Sequence, residues 1–220
     1  DFRPGVAADG GKGVGRVIHP PGAPDFSSYV MQAQASGAQA IGLATQTVDV
    51  TSFLRQANEY GLTGKQQMVT AVLHASDVHS TGMDITKGIN VVDAFYWDRD
   101  ADTRALSKRF FDKRGKMPTF AQAGVYSAVY QYLKAVKAAG TDEAKAVVKQ
   151  LKSTTINDVV FKNGKVRADG KMVHDMLLLE VKQPSESKYA WDYMKIKAVI
   201  PPQEAFQPLS ASKCRLLKQG

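Results

Sequence analysis

The chain has 220 residues, of which 44% are hydrophobic and 23% charged, and this balance excludes an intrinsically disordered protein. Lysine and arginine total 29 against 21 acidic residues, so the net charge of +8 leaves nucleic acid and anionic membranes open as partners. No apolar run reaches about 18 residues, which excludes a membrane-spanning helix, and no export signal stands at the start, as also holds for mature exported proteins.

Residues 10–28 read GGKGVGRVIHPPGAPDFSS, and their closely spaced glycines raise the question of a phosphate-binding loop. Such a loop needs a strand before the glycines and a helix directly after them, so that the helix N-terminus faces the phosphate. Here the glycines precede a short predicted strand, residues 13–19, which Pro20 and Pro21 end. We therefore expect a turn at the glycines rather than a phosphate site.

Helices and strands alternate in the next part of the chain. Asp25 is a good N-cap for a helix whose apolar residues recur at helical spacing, and Gly37 is a good stop. Apolar strands are predicted at residues 38–44, 67–73 and 88–97. A helix from about Asp49 and a polar turn or short helix after Leu73 separate them. This alternation at short intervals predicts βαβ units and a parallel open sheet.

The loops at the carboxyl ends of the first two strands are small and polar. They place Thr45 and Gln46 after one strand, and His74 and Asp77 after the next, at the edge where open α/β sheets bind ligands. The helices that begin there aim positive N-termini at this edge, which favours an anionic group. Helix capping explains the same residues equally well, so both interpretations stand at this point.

The sequence carries no enzyme motif. A G-x-S-x-G nucleophile elbow is absent, and the lone Cys214 has no placed base. His74 and His79 lie five residues apart, which is not a zinc-ligand spacing, and DRDAD at residues 98–102 is typical of a solvated turn with a helix cap. We therefore predict a protein that is not an enzyme and has no catalytic residue, metal or cofactor.

Three successive helices follow the last of these strands. They are predicted at residues 102–114, 119–139 and 141–152. The middle helix is apolar over a wide arc and is predicted to be the most buried of the chain. On the first helix, basic residues flank Phe110 and Phe111, a pattern typical of a solvated amphipathic helix and less so of a nucleic-acid surface.

In the last part of the chain, the sequence predicts β structure followed by an irregular tail. Asn163-Gly164 and Asp169-Gly170 are turn signals within a short stretch. Two paired strands are then expected at residues 176–184 and 191–200.

Four segments together resemble the type I periplasmic solute-binding proteins of branched-chain amino acid ABC transporters, in the branch that often takes aromatic carboxylates. The segments are DFSSYVMQAQASGAQAIGLA (25–44), AFYWDRDADTRALSKRFFDKRGKMPTFAQAGVYSAVYQYLKAVKAAGTD (94–142), GKVRADGKMVHDMLLLEVK (164–182) and WDYMKIKAVIPPQEAFQPLS (191–210). The resemblance extends from about Gly10 to the end.

This resemblance implies an α/β fold of two Rossmann-like lobes with parallel sheets, joined by three crossing segments, with the first lobe incomplete. Residues 1–94 would form the second lobe, residues 95–174 a crossing segment and the helices of the first lobe, and residues 175–220 the return to the second lobe and the tail. If the opening sheet of the first lobe is missing, we expect exposed apolar surface on helix 119–139 and weak ligand binding.

The resemblance also implies ligand contacts in both lobes. They are Ala44, Thr45, Gln46, Leu73, His74, Asp77, Tyr96, Trp97, Phe120 and Gln122. Family members that bind α-amino acids place a carboxylate in the second lobe for the ammonium group, and none stands between Val72 and Ser76. This departure favours an aromatic or other organic acid over leucine. Relatives often pair a tail cysteine with one in the first lobe, which gives Cys214 a partner outside this sequence.

The function implied is that of a periplasmic solute-binding protein. It would capture a small amino acid or an aromatic or other organic carboxylate between its lobes and deliver it to the membrane permease of an ABC transporter. Neither nucleic acid nor stable membrane insertion is expected. A ligand-sensing regulatory domain of the same fold is the alternative, and a basic nucleic-acid-binding domain is the alternative from another class.

Overall fold

A computed structural model describes residues 2–218 of the chain. The helices are α1 (Phe2–Ala8), α2 (Ser27–Ala35), α3 (Thr47–Glu59), α4 (Ala75–Thr81), α5 (Met83–Thr86), α6 (Ala101–Arg114), α7 (Phe120–Ala139), α8 (Ala144–Ser153) and α9 (Pro202–Ala205). The strands are β1 (Ala40–Leu43), β2 (Gln67–Thr70), β3 (Asn90–Asp93), β4 (Thr155–Ile156), β5 (Gly164–Val166), β6 (Met172–Val173), β7 (Met176–Val181) and β8 (Met194–Ile200). Short 3-10 turns lie at Pro184–Glu186, Leu209–Ala211 and Arg215–Lys218.

The chain divides into two compact units. Unit 1 contains the residues up to Val92 together with Leu179–Lys195, and unit 2 contains Asp93–Leu178 together with the residues from Ile196 on. Which lobe of the family fold each segment supplies stays a prediction.

The main sheet has the strand order β1-β2-β3-β7-β8. β1 and β2 are parallel, with Leu43 opposite Thr70, and β2 and β3 are parallel, with Thr70 opposite Val91. α3 connects β1 with β2, while α4 and α5 connect β2 with β3. The predicted βαβ units and the α/β fold with a parallel sheet are therefore confirmed.

The core of unit 1 follows from helical spacing. Val50, Phe53, Leu54 and Ala57 lie on one face of α3 and are all buried. Burial of such an apolar side chain contributes roughly 2 kcal/mol to the stability of the fold. The start of α2 lies one residue later than predicted, so its N-cap is Phe26 and not Asp25, and no side chain of the N-cap residue bonds the helix. The Asp25 carboxylate does accept the backbone N–H of Ser27, the first residue of α2, at 2.8 Å.

The strand predicted at residues 13–19 is wrong. These residues lie in the described part of the chain and form neither a helix nor a strand there, while an unpredicted helix, α1, precedes them. Val14, Val17 and Ile18 are exposed. A strand is stabilised by ladder hydrogen bonds and by a buried face, and the exposed side chains show that no such face forms.

In unit 2, α6 and α7 end where the sequence predicts, whereas α8 starts at Ala144 rather than at the predicted residue 141 and ends at Ser153 rather than 152. Gly115 closes α6 and Gly140 closes α7, both with the positive φ that favours glycine. Thr119 and Gln122 form a capping box at the start of α7. Glu143 caps α8, because its carboxylate accepts the backbone N–H groups of Lys145 at 3.0 Å and Ala146 at 2.9 Å in the first turn of the helix.

The small sheet of unit 2 is antiparallel, with the order β4-β5-β6. The Asp169-Gly170 turn joins β5 to β6 as predicted, and Arg167 pairs with Asp169 at 2.7 Å. This guanidinium lowers the pKa of Asp169 to about 2. The Asn163-Gly164 signal does not form a two-residue hairpin, because a seven-residue loop, 157–163, separates β4 from β5; Asn163 takes a φ of 52° there.

The prediction that α7 is the most buried helix is wrong. Its buried residues are Ala123, Ser127, Gln131 and Ala135, a narrow stripe of small and polar side chains. The large apolar side chains on its other faces are exposed: Val125, Tyr126, Val129, Tyr130, Tyr132 and Leu133. The exposed apolar surface predicted for this helix is therefore present. A wide apolar arc in a sequence shows what a helix can bury and says nothing about which part has a neighbour.

Asp158 holds the buried stripe of α7. Its carboxylate accepts the Ser127 hydroxyl at 2.6 Å and the Gln131 amide at 2.8 Å, and also the backbone N–H groups of Val160 and Phe161, both at 2.8 Å. Burial by itself raises the pKa of Asp158, but these four hydrogen bonds outweigh it and leave the pKa below its ordinary value. We call these five residues the Asp158 cluster.

Candidate functional site

The carboxyl ends of β1 and β2 lie side by side in unit 1. Leu43 and Thr70, the last residues of the two strands, are opposite each other, and the Thr70 hydroxyl donates to the Leu43 carbonyl oxygen at 3.3 Å. The loops that follow, residues 44–46 and residues 71–74 together with the first turn of α4 (75–77), therefore start from one edge of the sheet. We call these two loops the rim.

In the first rim loop, Thr45 and Gln46 are tied to a buried carboxylate. Ala44 and Gln46 are exposed and Thr45 is half-buried. The Thr45 hydroxyl donates to Asp49 Oδ2 at 3.2 Å, and Gln46 Nε2 donates to the same oxygen at 3.4 Å. Asp49 lies in the first turn of α3 and is only 1% exposed. Two of the predicted ligand contacts, Thr45 and Gln46, thus donate to the same buried carboxylate oxygen.

Asp49 also holds a second loop. The Gly22 backbone N–H donates to its carboxylate, at 3.0 Å to Oδ1 and 3.2 Å to Oδ2. Gly22 has a φ of 72°, in the left-handed region that favours glycine. We call Asp49, Gly22, Thr45 and Gln46 the Asp49 cluster. Sequence reasoning treated Asp49 only as the start of a helix, and its partner Gly22, 27 residues earlier, gives no local signal.

Aromatic rings lie beside the Asp49 cluster. His19 contacts Phe26 edge-on with ring centroids 5.0 Å apart and Tyr29 at 5.9 Å, and its Nδ1 is 4.0 Å from Asp49 Oδ2. Sequence reasoning did not select His19. The available signal was that His19 precedes two prolines and that Phe26 and Tyr29 follow within ten residues. Aromatic side chains commonly line small-molecule sites.

In the second rim loop, His74 and Asp77 cap α4. Asp77 Oδ2 accepts the His74 backbone N–H at 2.7 Å, and the pair forms a reciprocal capping box. Both residues are half-buried, whereas the Leu73 side chain is fully buried in the core of unit 1. The structure therefore brings Ala44, Thr45 and Gln46 to the same edge of the sheet as His74 and Asp77, with the Leu73 side chain below it.

The two helix N-termini at the rim already have carboxylates. Asp49 occupies the first turn of α3, and Asp77 occupies the first turn of α4. A carboxylate in this position complements the helix dipole and its unpaired N–H groups. The capping interpretation is therefore confirmed for His74 and Asp77, whereas no side chain caps α3 at Gln46. The attraction that the two N-termini offer to an anionic ligand is weaker because a carboxylate already lies in each first turn.

In unit 2, the remaining predicted contacts lie on two elements. Tyr96 and Trp97 follow β3, are 4% and 8% exposed, and pack edge-on with ring centroids 6.2 Å apart. Phe120 and Gln122 lie in the first turn of α7, and both are exposed. The Gln122 Oε1 atom accepts the Thr119 backbone N–H at 2.8 Å and its hydroxyl at 2.7 Å, so this oxygen caps the helix.

Two further observations bear on the chemistry. Within residues 2–218, no three His, Cys, Asp or Glu side chains are grouped in a way that could hold a metal ion. Over the same part of the chain, none of the helices combines the length and the apolar character that crossing a membrane requires.

Known structures and families show the same architecture. A family model described as periplasmic binding protein matches residues 1–188. A periplasmic binding protein from Burkholderia mallei is 44% identical with a TM-score of 0.88; the similarity covers 96% of this chain and 56% of that one. A branched-chain amino acid ABC transporter periplasmic ligand-binding protein from Burkholderia xenovorans is 42% identical with a TM-score of 0.88, covering 98% of this chain and 58% of that one.

A solute-binding protein of an ABC transporter from Rhodopseudomonas palustris, solved with 3,4-dihydroxybenzoic acid, has the same fold at 17% identity and a TM-score of 0.78; the similarity covers 91% of this chain and 55% of that one. None of the curated proteins matches the chain. The chain spans a little more than half the length of these solved relatives. Because the family model covers most of its residues and the fold agrees, the chain belongs to the periplasmic binding protein family, with the type I fold.

Proposed function

We propose that this chain acts in an extracytoplasmic solute-binding protein, which captures a small amino acid or an aromatic or other organic carboxylate and delivers it to the permease of an ABC transporter. One observation carries the proposal: a relative that is 42% identical over 98% of this chain is a periplasmic ligand-binding protein of such a transporter. The role is binding without catalysis, in the periplasm, with a small-molecule ligand and a membrane permease as partners.

The proposed ligand contacts are the ten residues that the family resemblance implies. In unit 1 they are the rim residues Ala44, Thr45, Gln46, Leu73, His74 and Asp77; in unit 2 they are Tyr96, Trp97, Phe120 and Gln122. The polar rim supports this assignment, because ligand sites of open α/β folds lie beyond the carboxyl ends of the strands. The aromatic rings of His19 and Tyr29 lie near the same edge and would supply apolar contact.

Within this ligand class, we favour an aromatic or other organic acid over leucine. An amino-acid ligand needs an accessible carboxylate for its ammonium group. Asp49 is 1% exposed and fully used by its cluster, and Asp77 accepts the His74 backbone N–H. Neither arrangement leaves a carboxylate dedicated to an ammonium group, which supports the preference.

Isothermal titration calorimetry with 4-hydroxybenzoate and with leucine tests the proposal. We expect heat of binding with 4-hydroxybenzoate and a weaker response with leucine. Binding of leucine alone would contradict the preference for an organic acid. Binding of neither compound would contradict ligand capture by this chain on its own. A variant with Leu133→Glu on the exposed face of α7, outside the proposed contacts, serves as the control and should bind as the wild type does.

A further inference from the structure

The Asp49 cluster fixes the direction of its hydrogen bonds. A carboxylate without a proton only accepts, so the Thr45 hydroxyl must be the donor in the 3.2 Å contact with Asp49 Oδ2. Gln46 must likewise turn its amide nitrogen toward that oxygen. The buried Asp49 carboxylate thus makes both side chains hydrogen-bond donors toward it.

Thr45 has only one hydroxyl hydrogen, and that hydrogen is donated in the hydrogen bond to Asp49. Toward any other molecule, the half-buried Thr45 oxygen can therefore act only as a hydrogen-bond acceptor. Gln46 keeps its exposed carbonyl oxygen and one N–H. The first rim loop is thus richer in acceptors than its sequence, Ala-Thr-Gln, indicates.

The Gly22 contact makes this arrangement rigid. Asp49 is bonded to the loop that contains Gly22 and to the rim loop at the same time, so if either loop turns away the buried Asp49 carboxylate loses part of its donors. Leaving a buried polar group unpaired costs about 1–3 kcal/mol. The Thr45 hydroxyl is therefore oriented before any ligand arrives, which lowers the entropy cost of binding.

We propose that Asp49 is a positioning residue that makes Thr45 an obligate acceptor, so that the ligand group meeting this part of the rim is a hydrogen-bond donor such as a phenolic hydroxyl. This inference rests on the proposed function, since it concerns the same rim. It selects, among organic acids, those that carry a hydroxyl group away from the carboxylate.

The specificity test compares 4-hydroxybenzoate with benzoate, which lacks only the phenolic hydroxyl. The wild type should bind the hydroxylated acid about tenfold more tightly, the value of one well-placed hydrogen bond. In Asp49→Asn, the new amide N–H faces Thr45 and frees its hydroxyl hydrogen to point at the ligand, so the preference should fall to about twofold or less. Thr45→Val, which removes the acceptor, should lose the preference to the same extent.

Asp84→Asn is the matched control, because it makes the same chemical change on an exposed residue of α5. It should keep the tenfold preference. An unchanged preference in Asp49→Asn would overturn the positioning role, even if Thr45→Val loses it. In the Asp49→Asn background, Thr45→Val should have no further effect on the preference, because the two residues act as one unit.

An amide-exchange measurement separates this inference from the proposed function. Asp49→Ala removes the acceptor of the Gly22 N–H, and hydrogen exchange at the Gly22 amide should become about tenfold faster than in Asp84→Asn. Unchanged exchange would overturn the role of Asp49 in fixing the two loops. If the wild type binds none of benzoate, 4-hydroxybenzoate and leucine while exchange accelerates, the proposed function fails and the role of Asp49 in positioning the loops stands.

Discussion

Asp49 in unit 1 and Asp158 in unit 2 each accept hydrogen bonds from at least three donors, and their partners differ. Asp158 joins a helix to a turn, with four contacts of 2.6–2.8 Å. Asp49 joins two loops, with contacts of 3.0–3.4 Å. The shorter set fixes a structural element within unit 2, whereas the longer set orients polar groups at the candidate ligand site of unit 1. Similar chemistry thus supports packing in unit 2 and orients loop side chains at the candidate site in unit 1.

The largest expected effect is that of Asp158→Ala. This change leaves four donors without an acceptor, two of them on the buried stripe of α7. We expect a loss of about 3 kcal/mol in the free energy of unfolding, because hydrogen bonds to a charged group are the strong ones. Urea denaturation followed by circular dichroism measures it.

Asp49→Ala provides the comparison and should lose less, about 1.5 kcal/mol, because its contacts are longer and two of its partners are on loops at the surface. A larger loss in Asp49→Ala than in Asp158→Ala would reverse the ranking of the two clusters.

The second expected effect is a pH dependence of the free energy of unfolding that arises from the Asp158 carboxylate. The pKa of Asp158 is lower in the folded state than its ordinary value of 3.8, so its carboxylate stabilises the fold above pH 3.8. That contribution is lost as the pH falls from about 4 through the lowered pKa. The difference in unfolding free energy between wild type and Asp158→Asn should therefore be constant from pH 5 to pH 7 and shrink below pH 4.

Urea denaturation at a series of pH values tests this prediction. Asp25→Asn is a suitable control, because its carboxylate also has a lowered pKa but lies outside the Asp158 cluster. The double variant of Asp158 and Asp25 should show additive changes. A difference between wild type and Asp158→Asn that stays constant as the pH falls below 3.8 would contradict the role of the charged carboxylate.

The smallest expected effect is a difference in unfolding free energy between two variants that each lose a hydroxyl group, Ser127→Ala in the Asp158 cluster and Thr45→Val in the Asp49 cluster. Ser127 is 1% exposed and donates to Asp158 at 2.6 Å, so Ser127→Ala should cost about 1 kcal/mol of unfolding free energy. Thr45→Val should change the unfolding free energy by less than about 0.5 kcal/mol, since Thr45 lies at the rim and is half-buried. Thermal unfolding measures both variants, and a larger loss for Thr45→Val would remove the distinction between the two clusters.

Much of the architecture could be predicted from local patterns. The helix predicted from about Asp49 is α3, and the predicted ends of α6 and α7 are those that Gly115 and Gly140 mark. The alternation of strands and helices predicted the parallel sheet. These features depend on neighbouring residues, on backbone preferences and on periodicity, all of which the sequence displays directly.

The candidate site was predicted only in part. The polar residues of the rim were placed correctly at the ends of β1 and β2, because the carboxyl ends of parallel strands share one edge. The role of Asp49 was missed, since its partner Gly22 comes from a segment that was expected to lead from a strand. That strand did not form, and the segment instead supplies a donor and the ring of His19.

The sequence by itself determined the helices and strands of the parallel sheet and the three helices that follow it, the glycines that end α6 and α7, and the family to which the chain belongs. Tertiary structure alone decided which face of α7 is buried and that residues 13–19 form no strand within the described chain. It also decided that the Thr45 hydroxyl donates its hydrogen bond to Asp49. The reason is physical: periodicity and capping act over a few residues, whereas burial and hydrogen-bond partnership depend on groups that the fold brings together from distant parts of the chain.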